Sequence, residues 1–207
     1  MSVKYQTNPI YYLFITLAAT NILLLGLAIF KYAGVFNVLR DPLSYAGHTY
    51  TSDGAPNTIS MYIYCADMIL SSALMLVIAA KLKNIFSYKN VLTILALTST
   101  LGFFIAGLSP DDTRHPLHVA GSAAFIVSLW LMATFLLYRY KEKLGNFKTY
   151  FLQIILQLSI FTYGFAYFLD MDISNVLQKF AVFALFISLA ISSKYIKIIT
   201  KEYNGKN

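Results

Sequence analysis

Apolar residues in this chain gather into six blocks of roughly twenty, at about 10–30, 58–80, 91–108, 116–138, 150–169 and 173–198, with short polar stretches between them. A helix rising about 1.5 Å per residue needs about 20 apolar residues to cross a hydrocarbon core of about 30 Å. A transmembrane barrel would instead show alternating segments of about ten residues. The pattern therefore predicts an all-α polytopic membrane protein, a single domain over 1–207 built as a bundle of six transmembrane helices. Lys4 ahead of the first block suggests a signal peptide, but the block exceeds the usual apolar region of about 7–15 residues, so it reads as an uncleaved span.

Composition narrows the class further. Apolar residues make up 58% of the chain and charged residues 12%, where soluble domains carry about 25% charge. That excludes a soluble enzyme, a disulfide-stapled secreted domain and a disordered tail. The lone Cys65 can form no intrachain disulfide. A net charge of +7 would suit nucleic acid, yet its distribution points to membrane topology and no nucleic-acid partner is expected. Lys4, Lys81, Lys83, Lys89, Arg139, Lys141, Lys143, Lys148, Lys194, Lys197, Lys201 and Lys206 fall on one side, twelve against the three of Lys31, Arg40 and Arg114 on the other. Lys and Arg concentrate in cytoplasmic loops, so both termini are expected in the cytoplasm and the chain in the plasma membrane.

The opposite, extracytoplasmic side holds Asp41, Asp53, Asp111, Asp112, Asp170 and Asp172 with all three histidines, His48, His115 and His118. The 31–57 connection is the one long loop, and its Asp41-Pro42, Asp53-Gly54 and Ala55-Pro56 steps predict turns. Long loops in compact folds often carry function. Between the third and fourth blocks, Asp111, Asp112, His115 and His118 lie within eight residues. Pro116 is expected to open the fourth span, with His115 as its cap. Imidazole with carboxylate suits zinc, manganese or iron, so His48, His115, His118 and Asp111 are candidate ligands of a divalent metal. Bound water made nucleophilic there would give hydrolysis. The same rim could bind a lipid headgroup, or Asp111 and Asp112 could simply be turn residues favouring the helix start.

A second candidate lies inside the spans. At about 100° per residue, Ser60, Tyr64, Asp67 and Ser71 share a stripe roughly 60° wide. Asp67 lies roughly 14 Å below the outer surface and Lys179 roughly 10 Å below it. An intramembrane carboxylate must face the bundle interior and find a partner or a proton. An Asp67–Lys179 pair is expected, with Gln153, Gln157 and Gln178 as possible neighbours; it would either fix helix register or line a substrate, ion or proton site. Lys179 also invites a retinal Schiff-base reading, which six spans rather than seven disfavour. Gly26, Gly102, Gly107, Ala120, Gly121, Ala123 and Ala124 suit close helix packing.

The loop segment Asn37-Val38-Leu39-Arg40-Asp41-Pro42-Leu43-Ser44-Tyr45-Ala46-Gly47 and the later Gly107-Leu108-Ser109-Pro110-Asp111, followed by His118 and Gly121, resemble the six-span membrane proteins of domain-of-unknown-function family 998, of the FRAG/DRAM-like group. The resemblance implies that Ser44, Gly47, Asp111 and His118 contribute to a polar site on the outer side, and it raises the expectation of a lipid partner. There is a looser similarity to intramembrane metal-dependent hydrolases of the ceramidase and progestin-receptor-like superfamily, which use a Ser, an Asp and three His. Here no histidine follows His118. The expectation is thus a lipid-handling membrane protein with Ser44, His48, Asp111, Asp112, His115 and His118 at its rim, metal-dependent lipid hydrolysis being one form of that activity. The alternative is a small transporter, or a lipid-binding or structural subunit, using Asp67 and Lys179. Whether it is an enzyme stays open.

Overall fold

The computed structural model describes residues 9–85 and 91–196. Its helices are α1 (Pro9–Phe30), α2 (Thr58–Ile85), α3 (Val91–Leu108), α4 (Asp111–Arg139), a single turn α5 (Lys141–Leu144), α6 (Asn146–Phe168) and α7 (Ser174–Ser193), and a 3-10 turn, Leu43–Gly47, lies in the long loop. Among the described residues six helices are long and apolar enough to cross a membrane, and the only strand-like pairing is the bridge between Tyr50 and Pro56. Lys4, Lys89, Lys197, Lys201 and Lys206 of the charge count, and the last two positions of the sixth block, lie outside the described residues.

Helix ends depart from the apolar blocks where polar residues are good helix formers. α2 continues to Ile85, with Lys83 in its last turn, where a cation is favoured by the helix dipole. α4 begins a turn before Pro116, at Asp111, and breaks at Arg114 (φ −136°, ψ 42°). Pro116 cannot donate to the carbonyl four residues back, and its ring disfavours helical backbone just before it. Asp111–Thr113 is therefore a separate turn ahead of the membrane-crossing part of α4. Gly145, at φ 86°, divides α5 from α6, a conformation glycine adopts without strain.

The packing order follows from small residues. α3 is the central wall, packed on α2 and α4. A Cβ on Gly102 would lie 2.5 Å from the Phe125 nitrogen and 2.7 Å from the Gly121 oxygen, and one on Gly107 would lie 2.7 Å from the Met68 Cβ. Between helices in lipid, such close approach is what drives association, because burying apolar surface gains little there. Phe103 and Phe125 stack beside the contact at 4.1 Å between centroids. α7 packs on α4 and on α1, so α1, α2, α3, α4 and α7 form a closed cycle of neighbours, with α6 outside it on α4 and α7. Many large apolar side chains point outward, among them Leu23, Tyr62, Phe161 and Phe180, as expected where the solvent is lipid. One end of the bundle carries the 31–57 loop, the α3–α4 turn and the α6–α7 turn; it is called the loop end below.

Candidate functional site

At the loop end two chain segments meet on adjacent carboxylates. Asp111 Oδ2 accepts from the Ser44 hydroxyl at 3.0 Å, and Asp111 Oδ1 lies 2.6 Å from His115 Nδ1, one helical turn on. His48 Nε2 approaches Asp111 Oδ2 at 3.7 Å, too long for a hydrogen bond, and it is buried with no hydrogen-bond partner. Asp112 accepts from the Thr49 hydroxyl, from Thr49 N–H at 2.8 Å and from Tyr50 N–H at 3.1 Å. Ser44, His48, Asp111, Asp112 and His115 are therefore one cluster, and the two aspartates clamp the loop onto α4.

Burial by itself would raise the Asp111 carboxyl, but the His48 and His115 imidazoles, the nearby His118 ring and the Ser44 hydroxyl outweigh it and hold the group well below the usual carboxylate range. Burial likewise opposes, and the Thr49 and Tyr50 donors outweigh it, in lowering Asp112. With folded values depressed, the stability these groups lend is complete above their ordinary range near pH 4 and is lost only as pH falls through the lowered values. An ionised carboxylate can only accept, so His115 carries its proton on Nδ1 and presents Nε2 as a base. The His115 side chain is 65% exposed, against 15% for Asp111. This is the carboxylate-oriented imidazole of general acid–base chemistry. Ser44 donates to Asp111 and not to an imidazole, so it lacks the base contact an activated nucleophile needs.

His118 is not part of the cluster. Its ring is buried, and Nδ1 lies 2.8 Å from the Ser109 carbonyl oxygen, which can only accept, so Nδ1–H donates. The ring stands 6.3 Å from that of Tyr64. Ser44 bonds Asp111, and Gly47 lies against the Tyr64 ring, which a Cβ there would reach at 2.4 Å. Tyr64 in turn neighbours His118. In the expected metal set of His48, His115, His118 and Asp111, the contacts above engage Nδ1 of His115 and of His118, while His118 lies apart from the rim cluster. Among the described residues no three His, Cys, Asp or Glu side chains are placed to hold a metal ion.

The expected Asp67–Lys179 pair is also corrected. Lys179 Nζ donates to the carbonyl oxygens of Asp41 at 2.8 Å and Asn175 at 2.7 Å. A four-carbon stem lets a lysine near a helix end reach the rim, so depth along the helix misplaced its charge. Leu43 N–H donates to Gln178, and Asn175 donates to the Arg40 carbonyl; the start of α7 thus grips loop residues 40–43. Gln153 and Gln157 sit elsewhere, in a network with Trp130 and Thr134. Asp67 is fully buried; the Ser71 hydroxyl lies beside its carboxylate, and neither oxygen makes a hydrogen bond of good geometry. One turn deeper, Ser71 accepts from Asn21 of α1 at 2.8 Å.

Two residues that the sequence reading passed over organise the loop. Asn57, fully buried, accepts from Ala33 N–H and donates to the His48 and Ala46 carbonyls. Thr49 is the main donor to Asp112. An asparagine just before an apolar run was the one available signal for the first, and no signal marked the second. In comparisons with known proteins, no family model, no curated protein and no solved structure matches this chain.

Proposed function

We propose that this integral membrane protein handles lipid at its loop end, where the Asp111–His115 pair meets the headgroup of a membrane phospholipid as an acid–base element. The observation that supports the reading is the 2.6 Å contact that orients an exposed imidazole, with a second imidazole, His48, 3.7 Å from the same carboxylate. No metal is part of the proposal. His115→Ala removes the base while leaving the Ser44 and Asp112 links, so thermal stability should fall by no more than about 1 kcal/mol, as for loss of an exposed ion pair. Binding or turnover of a short-chain phospholipid by the purified protein should fall about tenfold or more, since acid–base groups contribute about 10²–10⁴-fold to rates. Unchanged lipid handling at unchanged stability would overturn the proposal and leave Asp111 and Asp112 as a loop clamp only.

The proposal places the loop end outside the cytoplasm, supported by the twelve-to-three Lys and Arg bias. With Cys65 replaced by serine, a cysteine at Asp53 should react with an impermeant maleimide on intact cells, and one at Asn146 only after permeabilisation. The reverse labelling would invert the orientation.

A second reading, a central site for a proton or small cation, is favoured by one observation: both Asp67 oxygens are buried without a hydrogen bond of good geometry.

A further inference from the structure

α3 and α6 each pack on α4, and at the end away from the loop residues of all three helices border one space. This space is a groove of about 580 Å³, within the range of about 300–1,000 Å³ typical of small-molecule sites. Leu95 of α3 and Leu131 and Phe135 of α4 form its apolar walls. Leu131 and Tyr138, both on α4, bracket a depth of roughly 10 Å at 1.5 Å per residue.

A polar feature at its mouth distinguishes the groove from an ordinary lipid-facing furrow. Thr149 of α6 lines it, is 2% exposed, and its buried hydroxyl has no hydrogen-bond partner. Gln153, the neighbouring polar group in the lining, is already committed, donating to the Thr134 carbonyl and accepting from Gln157. The Thr149 hydroxyl thus lies beneath the lining rather than open to the groove. At the mouth, the exposed Lys141 ammonium donates to the Tyr150 hydroxyl at 2.7 Å and sits 4.8 Å from the ring centroid. Arg139, Lys143 and Lys148 lie in the same short stretch, against the single Glu142.

We propose that this groove holds an acyl chain of an anionic phospholipid, with the phosphate paired with Lys141. An apolar slot opening at membrane level fits a chain, and the basic mouth selects anionic over zwitterionic headgroups. The site is remote from Asp111 and does not depend on the role of that cluster.

Purified protein in detergent, stripped of lipid, is titrated with phosphatidylglycerol or phosphatidylcholine and followed by native mass spectrometry and thermal shift. Phosphatidylglycerol should bind about fivefold more tightly, the factor that one lysine at an anionic lipid surface supplies. Lys141→Gln should abolish that preference while chain binding persists. Leu131→Trp, and independently Val91→Trp, should fill the groove and remove binding of both lipids; Val91 also lines it, and each position is 41% exposed or more, so at least one folded variant is expected. Equal binding of the two lipids, undiminished binding in the filled variants, or a thermal shift reproduced by inorganic phosphate alone would overturn the proposal.

Discussion

Gly102→Ala is expected to be among the most damaging single-methyl changes in the protein. The added carbon would lie 2.5 Å from a backbone nitrogen of α4 and 2.7 Å from a backbone oxygen, and backbone cannot swing aside as a side chain can. α3 and α4 must separate, which loosens the Phe103–Phe125 stack as well. Overpacking of this kind destabilises by about 1–3 kcal/mol, occasionally more, and Gly121→Val on the facing helix should do at least as much. Because the two glycines share one contact, the double variant should lose less than the sum of the singles. Gly164→Ala is the control, since a Cβ there meets nothing within 4 Å, and a helical alanine should be neutral or mildly stabilising. Thermal unfolding in detergent measures all four. A tolerated Gly102→Ala would mean that α3 and α4 are not in the close register described.

The second large effect has the opposite sign. Asp67→Leu should raise thermal stability, because the carboxyl is fully buried with neither oxygen in a hydrogen bond of good geometry, and an unsatisfied buried polar group costs about 1–3 kcal/mol. Asp67→Asn should help less, since an amide is still polar. Combined with Lys179→Gln, the effects should add, as they do for sites without shared partners, because Lys179 is spent on the Asp41 and Asn175 carbonyls. Destabilisation by Asp67→Leu would show that the Ser71 hydroxyl one turn deeper is an effective hydrogen-bond partner of the carboxylate. A gain in stability accompanied by loss of proton or cation transport would mark Asp67 as a site retained for function at the expense of stability and favour the central-site reading.

The spans were legible in the sequence because the bilayer imposes a length, and Val91–Leu108 coincides with its apolar block for that reason. Helix ends were less legible: Lys83 and Asp111 extend helices beyond the apolar residues by local propensity and dipole effects. The rim cluster was legible as residue types on one side of the membrane, and Ser44, His48, Asp111, Asp112 and His115 do meet. What no spacing could convey was who bonds whom. His118 follows His115 by less than a turn yet faces the interior, because the break at Arg114 and the packing of Gly121 on α3 set its direction. Lys179 and Asp67 looked paired because depth along a helix is one coordinate of three. Direction around the bundle depends on which helices are neighbours, and nothing local encodes that α7 lies on α1 and α4.

The position of α7 also carries a timetable. Chains are made from the N-terminus, so α1 to α4 and then α6 emerge before the helix that joins α4 back to α1. Until it is synthesised the first four helices can pair only as an open arc, α1 on α2, α2 on α3 and α3 on α4. The loop between α1 and α2 can already be fastened to Asp111 and Asp112 at that stage, but its residues 40–43 gain their Asn175, Gln178 and Lys179 anchors only with the last helix. The rim thus reaches its final shape only once α7 has been made. A nascent chain stalled after α6 presents a half-tethered loop and an unclosed seam to membrane quality control.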